Sequence, residues 1–177
     1  MSNRIHPTAI IDLEKVKIGK NVYIGPYCTI GNAPEHKDSE LNDKEGHGVV
    51  IIEDNVVIRS HVNIDCGTIG GATIIREGSY IMAHSHIGHD ARIGKMCTLA
   101  SGSIIGGHSI IEDYANIGLG AVLHQFTEVG EGTIVGGLNF AKGKLAPWSK
   151  YHTGIKAINQ GPNEHLIKKL GIKVEDK

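Results

Sequence analysis

The most constraining feature of this 177-residue sequence is a six-residue repeat that runs without interruption from Ile75 to Val135. Every sixth residue is a branched aliphatic, and the residue two places before it is alanine, serine, threonine or cysteine. A period of six fits neither an α-helical turn of 3.6 residues nor a strand alternation sustained over so long a segment. It predicts one side of a three-sided parallel coil, in which residues 18 apart in sequence become neighbours about 4.8 Å apart.

The same register occurs earlier, at Ile18–Ile30 and Ile52–Ile64, and together these segments predict about six coils. This pattern resembles the left-handed parallel β-helix of hexapeptide-repeat proteins, and the left hand is implied by that resemblance. The expected fold is therefore all-β. The predicted β-helix covers residues 1–137, with loops at 32–49 and 65–72 where the repeat is broken. A tail at 138–177 follows.

The tail carries the signals of one short helix. Asn163 is suited to the N-cap, Glu164 to the first turn, Lys168 and Lys169 to the last turn, and Gly171 to the C-terminal end.

Composition excludes several classes of function. The formal net charge is −1 and no basic block is present, so nucleic acid is not an expected partner. No apolar run reaches the roughly 18 residues of a membrane span, and the N-terminus lacks the apolar segment of a signal peptide. The three cysteines are an odd number, and Cys28 and Cys97 lie in the small-residue column of the repeat, so we expect a reducing compartment. The expected location is the bacterial cytoplasm, and "bacterial" is implied by the resemblance described below.

Eleven histidines is a high number for this length, and four of them are predicted to share one face. Strands at Ile87, Ile105 and Leu123 are 18 residues apart and should stack. We call the four histidines beside them the histidine patch: His86, His89, His108 and His124. The stacking also aligns Gly107 and Gln125 with His89, and His108 with Asp90. His84 lies one side earlier and is expected near the patch, and His61 could join it if the 65–72 break keeps the phase.

Two chemistries could use the histidine patch. The first is general base catalysis, because a histidine with a pKa near its ordinary value of about 6.5 takes a proton at neutral pH. In that case Asp90 would fix the tautomer of His89, and the Gly107 N–H could face a developing oxyanion. The second chemistry is zinc binding. His84 and His89, followed by Ala91-Arg92-Ile93-Gly94, resemble the signature of γ-class carbonic anhydrases, which build a three-histidine zinc site between subunits.

A more specific resemblance extends over most of the chain. The segment His84–Gly130 and the N-terminal IHPTAI…IGKNVYIGPYCTIG resemble the bacterial acyl-ACP:UDP-N-acetylglucosamine O-acyltransferase family. The resemblance implies a homotrimer in which His89 is the general base, Asp90 its partner and Gly107 the oxyanion donor. It also implies substrate contacts from His86, His108, His124, Gln125, Gly137 and Asn163. Gly137 corresponds to the position that measures acyl-chain length.

The chain also departs from that family. It ends where the family continues into a helical domain, so that the family's basic pair corresponds at best to Lys168 and Lys169. In the sugar-binding loop the family's Gln-Asp is replaced by Glu35 and His36. Glu35 and His36 are therefore candidate substrate contacts. We expect the acceptor to be a hydroxyl or an amine of a nucleotide-activated amino sugar, and the acyl donor to be an acyl-ACP or acyl-CoA thioester.

The leading hypothesis is thus an acyltransferase that uses no cofactor other than its thioester co-substrate and no metal. The alternatives are a zinc-dependent hydratase of the carbonic anhydrase type and a trimeric binding scaffold without catalysis.

Overall fold

The structure, a computed structural model, describes residues 2–35, 48–152 and 158–171. Its short strands form three sheets, and successive strands of the chain enter sheets A, B and C in rotation. Sheet A contains β1 (Arg4–Ile5), β4 (Tyr23–Ile24), β7 (Val57–Ile58), β10 (Tyr80–Ile81), β13 (Thr98–Leu99), β16 (Asn116–Ile117), β19 (Ile134–Val135), β22 (Ser149–His152) and β23 (Ile158–Pro162). Sheet B contains β2 (Ile10–Ile11), β5 (Thr29–Asn32), β8 (Asn63–Asp65), β11 (His86–Ile87), β14 (Ile104–Ile105), β17 (Val122–Leu123) and β20 (Phe140–Ala141). Sheet C contains β3 (Val16–Ile18), β6 (Val49–Ile52), β9 (Ala72–Ile75), β12 (Arg92–Ile93), β15 (Ile110–Ile111), β18 (Glu128–Val129) and β21 (Lys144–Leu145).

All strand pairs are parallel except β22 with β23, which are antiparallel. Within the regular repeat the register is the predicted one: Ile87 pairs with Ile105, and Ile105 pairs with Leu123. The three-sided parallel coil is therefore confirmed. Sheets B and C have seven strands each, one coil more than the six predicted, because β1 and β2 begin the coil before the first repeat that the sequence reveals.

The core is the aliphatic column predicted by the repeat. Its isoleucines, among them Ile93 and Ile105, are fully buried, and the small residues beside them fill the narrow corners. Their hydroxyl groups are hydrogen-bonded across the corner, as between Ser79 Oγ and the Gly94 carbonyl at 2.7 Å. A buried hydroxyl without such a partner would cost roughly 1–3 kcal/mol, so this column combines small volume with satisfied polar groups.

The two interruptions of the repeat differ in extent from the predicted loops. Asp65 ends β8, Ala72 begins β9, and Cys66 packs in the core, so only residues between Cys66 and Ala72 leave the coil. The described parts of the 32–49 loop are Asn32–Glu35 and the segment from Gly48. The remainder, with His36, lies outside the described residues. All three cysteines are free and buried, including Cys66, which was predicted to lie in a loop.

The coil continues beyond the predicted boundary at residue 137. Strands β20, β21 and β22 pair in parallel with the coil below them. The repeat fades there because the turn before β21 is shortened: Glu128 pairs with Lys144, 16 residues on, instead of 18. Pairing therefore persists to His152 while the sequence period is lost.

The predicted C-terminal helix is present as α1 (Glu164–Leu170). The Asn163 side chain accepts a hydrogen bond from the Leu166 N–H, and Gly171 has the left-handed conformation typical of a helix end. Asn163 also donates to the Gly132 carbonyl at 2.7 Å, which ties the start of the helix to the coil. The described part of the chain contains no helix with the length and hydropathy needed to cross a membrane.

Candidate active site

The candidate site lies at the corner where sheet B gives way to sheet C. Between β11 and β12 the chain turns through Gly88–Ala91, and the Ala91 N–H donates to the Gly88 carbonyl at 3.3 Å. The third residue of this turn, Asp90, has a φ of 58°, a left-handed conformation that aspartate adopts more readily than most residues. The turn thus places the His89 and Asp90 side chains at the corner, outside the aliphatic column.

His89 and Asp90 form a hydrogen-bonded pair. His89 Nδ1 lies 3.0 Å from Asp90 Oδ2, and both side chains are about nine-tenths buried. Asp90 also accepts a hydrogen bond from the Thr68 N–H at 3.0 Å. Burial alone would raise the pKa of Asp90, but the hydrogen bonds from His89 and Thr68 and the nearby His108 together lower it. An ionised Asp90 holds the proton on Nδ1 of His89, so that Nε2 carries the lone pair that accepts a proton.

Gly107 stacks directly on the His89 ring, as the repeat predicts. A Cβ built on Gly107 would lie 2.7 Å from Nε2 and 2.8 Å from Cε1 of His89. Only a residue without a side chain can therefore pack this closely on the His89 ring. Among the described residues no acceptor is hydrogen-bonded to the Gly107 N–H, although the neighbouring Gly106 and His108 N–H groups are both bonded within the ladder. This N–H is available to bind an oxygen of a ligand.

His108 borders the same pair from the next coil. Its Nε2 lies 3.8 Å from Asp90 Oδ2, and its ring meets the His89 ring edge-on at a centroid distance of 4.9 Å. On its other side it stacks on Phe126 at 4.7 Å, with the two ring planes parallel to within 1°. Asp90, His108 and Phe126 thus form the corner stack predicted from their spacing of 18 residues.

His86 lies on β11 beside a buried carboxylate. Its Nε2 is 3.7 Å from Asp65 Oδ2, and Asp65 is only 1% exposed. Glu35 is close enough to both for its charge to act on them: burial raises the pKa of Asp65 to about 7, and the Glu35 charge adds to this. Burial lowers the pKa of His86, with a smaller opposing effect from Glu35. The histidine patch therefore contains a second histidine–carboxylate pair.

Other predicted site residues lie on the same face or on different corners. His124 and Gln125 follow β17, one coil beyond Gly107, and His124 Nδ1 lies 3.0 Å from the Gln125 carbonyl. Gly137 lies at the corner between sheets A and B, beside Leu119. Asn163 lies at the corner between sheets C and A, where it contacts Gly132. Within one chain, Gly137 and Asn163 are therefore on other corners than the His89–Asp90 pair.

His84 stacks with other rings at a corner of its own. It packs on His61 at a centroid distance of 4.8 Å, and His61 packs on Tyr27 at 5.0 Å. His61 thus joins His84 at the corner between sheets A and B, and not the histidine patch.

Two groups of side chains at the site contain nitrogen and oxygen atoms that could also bind a metal ion. In each group the nitrogen and carboxylate oxygen atoms lie within 4.8 Å of one another: His89, Asp90 and His108 in one, and Glu35, Asp65 and His86 in the other. In the described part of the chain His84 belongs to neither group, so the pairing of His84 with His89 suggested by the carbonic anhydrase signature does not occur within one chain.

Sequence analysis missed four residues that support the site. Asp65 and Thr68 come from the 65–72 break, whose position relative to the coil could not be deduced from the repeat. Gly71 packs so closely on Asp90 that a Cβ there would collide with the carboxylate. Thr73 accepts a hydrogen bond from the Asp90 N–H at 2.9 Å, and only its membership of the small-residue column was visible in the sequence.

We expect Asp90→Asn to lower turnover, but by less than the roughly 10²–10⁴-fold loss that follows removal of a general base. The amide keeps the shape of the carboxylate while losing the charge that stabilises an imidazolium. Steady-state kinetics beside thermal melting measures both effects, with Glu112→Gln on exposed β-helix surface as the matched carboxylate-to-amide control. Unchanged turnover in Asp90→Asn would show that the pair does not act in catalysis.

Comparison with known proteins places this geometry in context. Residues 72–107 match the family model for the bacterial transferase hexapeptide (six repeats). The acyl-[acyl-carrier-protein]–UDP-N-acetylglucosamine O-acyltransferase of Helicobacter pylori strain Shi470 is 36% identical over 155 residues, which cover 86% of this chain and 56% of that protein. The enzyme of the same name from Aliarcobacter butzleri strain RM4018 is 32% identical over 148 residues, covering 82% of this chain and 55% of that protein.

The chain resembles these acyltransferases. Among solved structures, the UDP-N-acetylglucosamine acyltransferase from Bacteroides fragilis 9343 superposes with a TM-score of 0.88 at 29% identity, covering 97% of this chain and 66% of that one. The predicted fold, a left-handed parallel β-helix, is thereby confirmed. The chain spans a little over half the length of the curated relatives it matches.

Proposed function

We propose that this protein is an acyltransferase that moves an acyl group from an acyl-ACP or acyl-CoA thioester to a hydroxyl or amine of a nucleotide-activated amino sugar. The observation that carries the proposal is the packing of the His89 ring on Gly107. There a base, oriented through its other nitrogen by Asp90, adjoins an N–H group that can bind an oxyanion. Relatives named acyl-[acyl-carrier-protein]–UDP-N-acetylglucosamine O-acyltransferase support an acyl-ACP donor and a nucleotide-sugar acceptor.

The reaction needs two contributions that these residues can supply. Nε2 of His89 takes the proton from the acceptor atom as that atom attacks the thioester carbonyl, and Asp90 stabilises the resulting imidazolium. The Gly107 N–H donates to the carbonyl oxygen as negative charge develops on it. When the tetrahedral intermediate collapses, the imidazolium returns the proton to the departing thiolate. His86, on the strand before His89, and His108, His124 and Gln125, in the neighbouring coils, would hold the acceptor.

The active assembly in this proposal is a homotrimer with the site between adjacent subunits. Two observations support it. Gly137 and Asn163, the predicted acyl-chain and ligand contacts, lie on other corners of the same chain, so they can approach His89 only from a neighbouring copy. In addition, large apolar side chains are exposed on and beside sheet B, which is unusual for a surface in water: Ile104, Leu119, Leu138 and Phe140. The three free, buried cysteines agree with a cytoplasmic location.

A screen of donors against acceptors tests the proposal. Purified protein would be incubated with acyl-ACP and acyl-CoA donors of several chain lengths and a panel of nucleotide sugars, and products would be detected by mass spectrometry. The expected result is an acceptor heavier by one acyl group, formed only with protein present. If no donor and acceptor pair yields an acylated sugar, the proposed function is wrong.

A zinc-dependent hydratase remains the second candidate, because His89, Asp90 and His108 bring suitable donor atoms together. Metal analysis of the purified protein, combined with an assay for CO₂ hydration, separates the two functions. We expect less than about one-tenth of a zinc ion per chain and no hydration. Stoichiometric zinc that is lost in His89→Ala, together with hydration activity, would replace the acyltransferase by the hydratase. A trimer that binds nucleotide sugars without either activity would indicate a scaffold.

A further inference from the structure

The site contains a second histidine–carboxylate pair, His86 with Asp65, immediately beside the first. Ile64 on β8 pairs with Ile87 on β11, so Asp65 lies next to Gly88, the residue before His89. The Asp65 carboxylate is 1% exposed, and neither of its oxygens has a hydrogen-bond donor among the described residues. A buried carboxylate without donors is unfavourable, so its retention at a reactive site calls for a role.

The His86 ring lies against the buried Asp65 carboxylate. His86 keeps about a quarter of its side chain exposed, and its Nε2 is 3.7 Å from Asp65 Oδ2. That distance is longer than a hydrogen bond, as is common for catalytic pairs before a substrate is bound. The charged or titratable groups that act on His86 are Asp65 from the neighbouring strand, Glu35 from the preceding loop and His89 from its own turn. The ion pairs at this corner join only histidines and carboxylates.

The number of bases at the site bears on whether the acyl group is transferred to a hydroxyl or to an amine. A hydroxyl group loses a single proton when it is acylated, and one base is enough. A primary amine enters largely as an ammonium ion in neutral water, and it must lose one proton before it can attack and a second as the amide forms. An arrangement of two adjacent histidine–carboxylate pairs therefore fits an amine better than a hydroxyl.

We propose, on the basis of the proposed acyl transfer, that the acceptor is the ammonium group of an amino sugar nucleotide and that His86, backed by Asp65, removes its first proton. His86 is the catalytic residue of this second pair, and Asp65 acts through it as a positioning residue. The negative charges of Asp65 and Glu35 also favour a cationic acceptor over a neutral one.

The ammonium transfers one proton to His86, and the neutral nitrogen attacks the thioester carbonyl carbon, forming a C–N bond. His89 takes the second proton from that nitrogen. As the C–S bond breaks, His89 gives this proton to the leaving thiolate, and His86 releases the first proton to solvent. The products are one amide, one thiol and one proton. Transfer to a hydroxyl releases no net proton.

The environment of the second pair favours such a transfer. Burial, with a contribution from Glu35, raises the pKa of Asp65 to about 7, whereas burial and the nearby His89 lower the pKa of His86. A lowered pKa leaves His86 unprotonated at neutral pH, so its ring is ready to accept a proton.

The decisive variant is Asp65→Asn, tested with acceptors that differ in one group. The probes are UDP-N-acetylglucosamine and its 3-amino-3-deoxy analogue, with the same acyl donor, and Glu112→Gln is the matched control. We expect wild type to have at least about tenfold higher kcat/KM for the amine. We expect Asp65→Asn to lower kcat about tenfold or more for the amine and less than threefold for the hydroxyl, with the amine rate recovering as pH rises. That recovery is expected because more of the amine then arrives already neutral.

The variant should fold. Because the Asp65 pKa is raised in the folded state, its ionisation destabilises the protein increasingly as the pH rises from about 4 to about 7. Asp65→Asn removes that effect and should melt at or above the wild-type temperature at pH 8. If it melts lower, His86→Gln, which keeps the buried carboxylate, must show the same selective loss with the amine.

The outcomes separate this inference from the proposed function. Acylation of both sugars with a preference for the hydroxyl, or an equal loss for both in Asp65→Asn, would overturn the inference while acyl transfer stands. Stoichiometric metal bound at Asp65 and His86 would also overturn it. Failure of both sugars with every donor would contradict the proposed function, and the inference with it.

Discussion

Replacing His89 with alanine is expected to lower acyl transfer by about 10²–10⁴-fold, the usual effect of losing a positioned general base. In the proposed mechanism Nε2 of His89 accepts the proton, and among the described residues no other ring at the corner is held by a 3.0 Å hydrogen bond to a carboxylate. Stability should fall by about 1–3 kcal/mol, because the ring lies outside the aliphatic column but its loss leaves the buried Asp90 carboxylate without one of its donors. Turnover and thermal melting of the same preparation measure both effects.

The control for this variant is His6→Ala, which removes an exposed histidine from the first coil, far along the helix from the site. It should retain wild-type turnover. If His89→Ala also retains it, the base is another member of the histidine patch. An early melting transition in His89→Ala would instead assign the imidazole a structural role.

The second large effect is expected for Gly107→Ala. The added methyl group would lie within 3.1 Å of three atoms of the His89 ring. The ring cannot move away without lengthening its bond to Asp90 or displacing His108, whose ring it meets edge-on. We therefore expect turnover to fall by about 10²-fold or more, as for a misplaced base. Kinetics with several donors should show the loss for every chain length.

Gly137→Ala is the matched comparison for Gly107→Ala. Gly137 follows Val135 as Gly107 follows Ile105, so the two glycines occupy equivalent positions of the repeat. A Cβ on Gly137 would meet only Leu119, with its nearest atom at 3.1 Å. The two variants should melt at similar temperatures, and Gly137→Ala should change the preferred donor length without abolishing transfer. Equal turnover of wild type and Gly107→Ala would contradict the proposed position of the oxyanion site.

The regular part of the fold was predictable because a single physical constraint repeats there. A branched aliphatic must point inward and a small residue must fit each corner, so one period fixes both the register and the corner stacks. The predicted alignment of Gly107 with His89, and of His108 with Asp90, is confirmed for this reason. The C-terminal helix was predictable from local signals at Asn163 and Gly171 alone.

The supporting residues of the site were not predictable because insertions change the offset between neighbours. Asn63 pairs with His86, 23 residues on, so no count of 18 brings Asp65 beside His86. The hydrogen bond from Thr68 to Asp90 likewise depends on how the residues between Cys66 and Ala72 fold back onto the corner. In the proposed trimer, Gly137 and Asn163 meet His89 of a neighbouring copy, and no pattern within one sequence shows how copies meet.

The most direct test of the account is the stoichiometry of the reaction. Thiol released from the acyl donor and acylated nucleotide sugar would be quantified together, for wild type and for His89→Ala. The account predicts one thiol for each acylated sugar in wild type, and a loss of both products in parallel in His89→Ala. Thiol release without acylated sugar, or full product formation by His89→Ala, would contradict it.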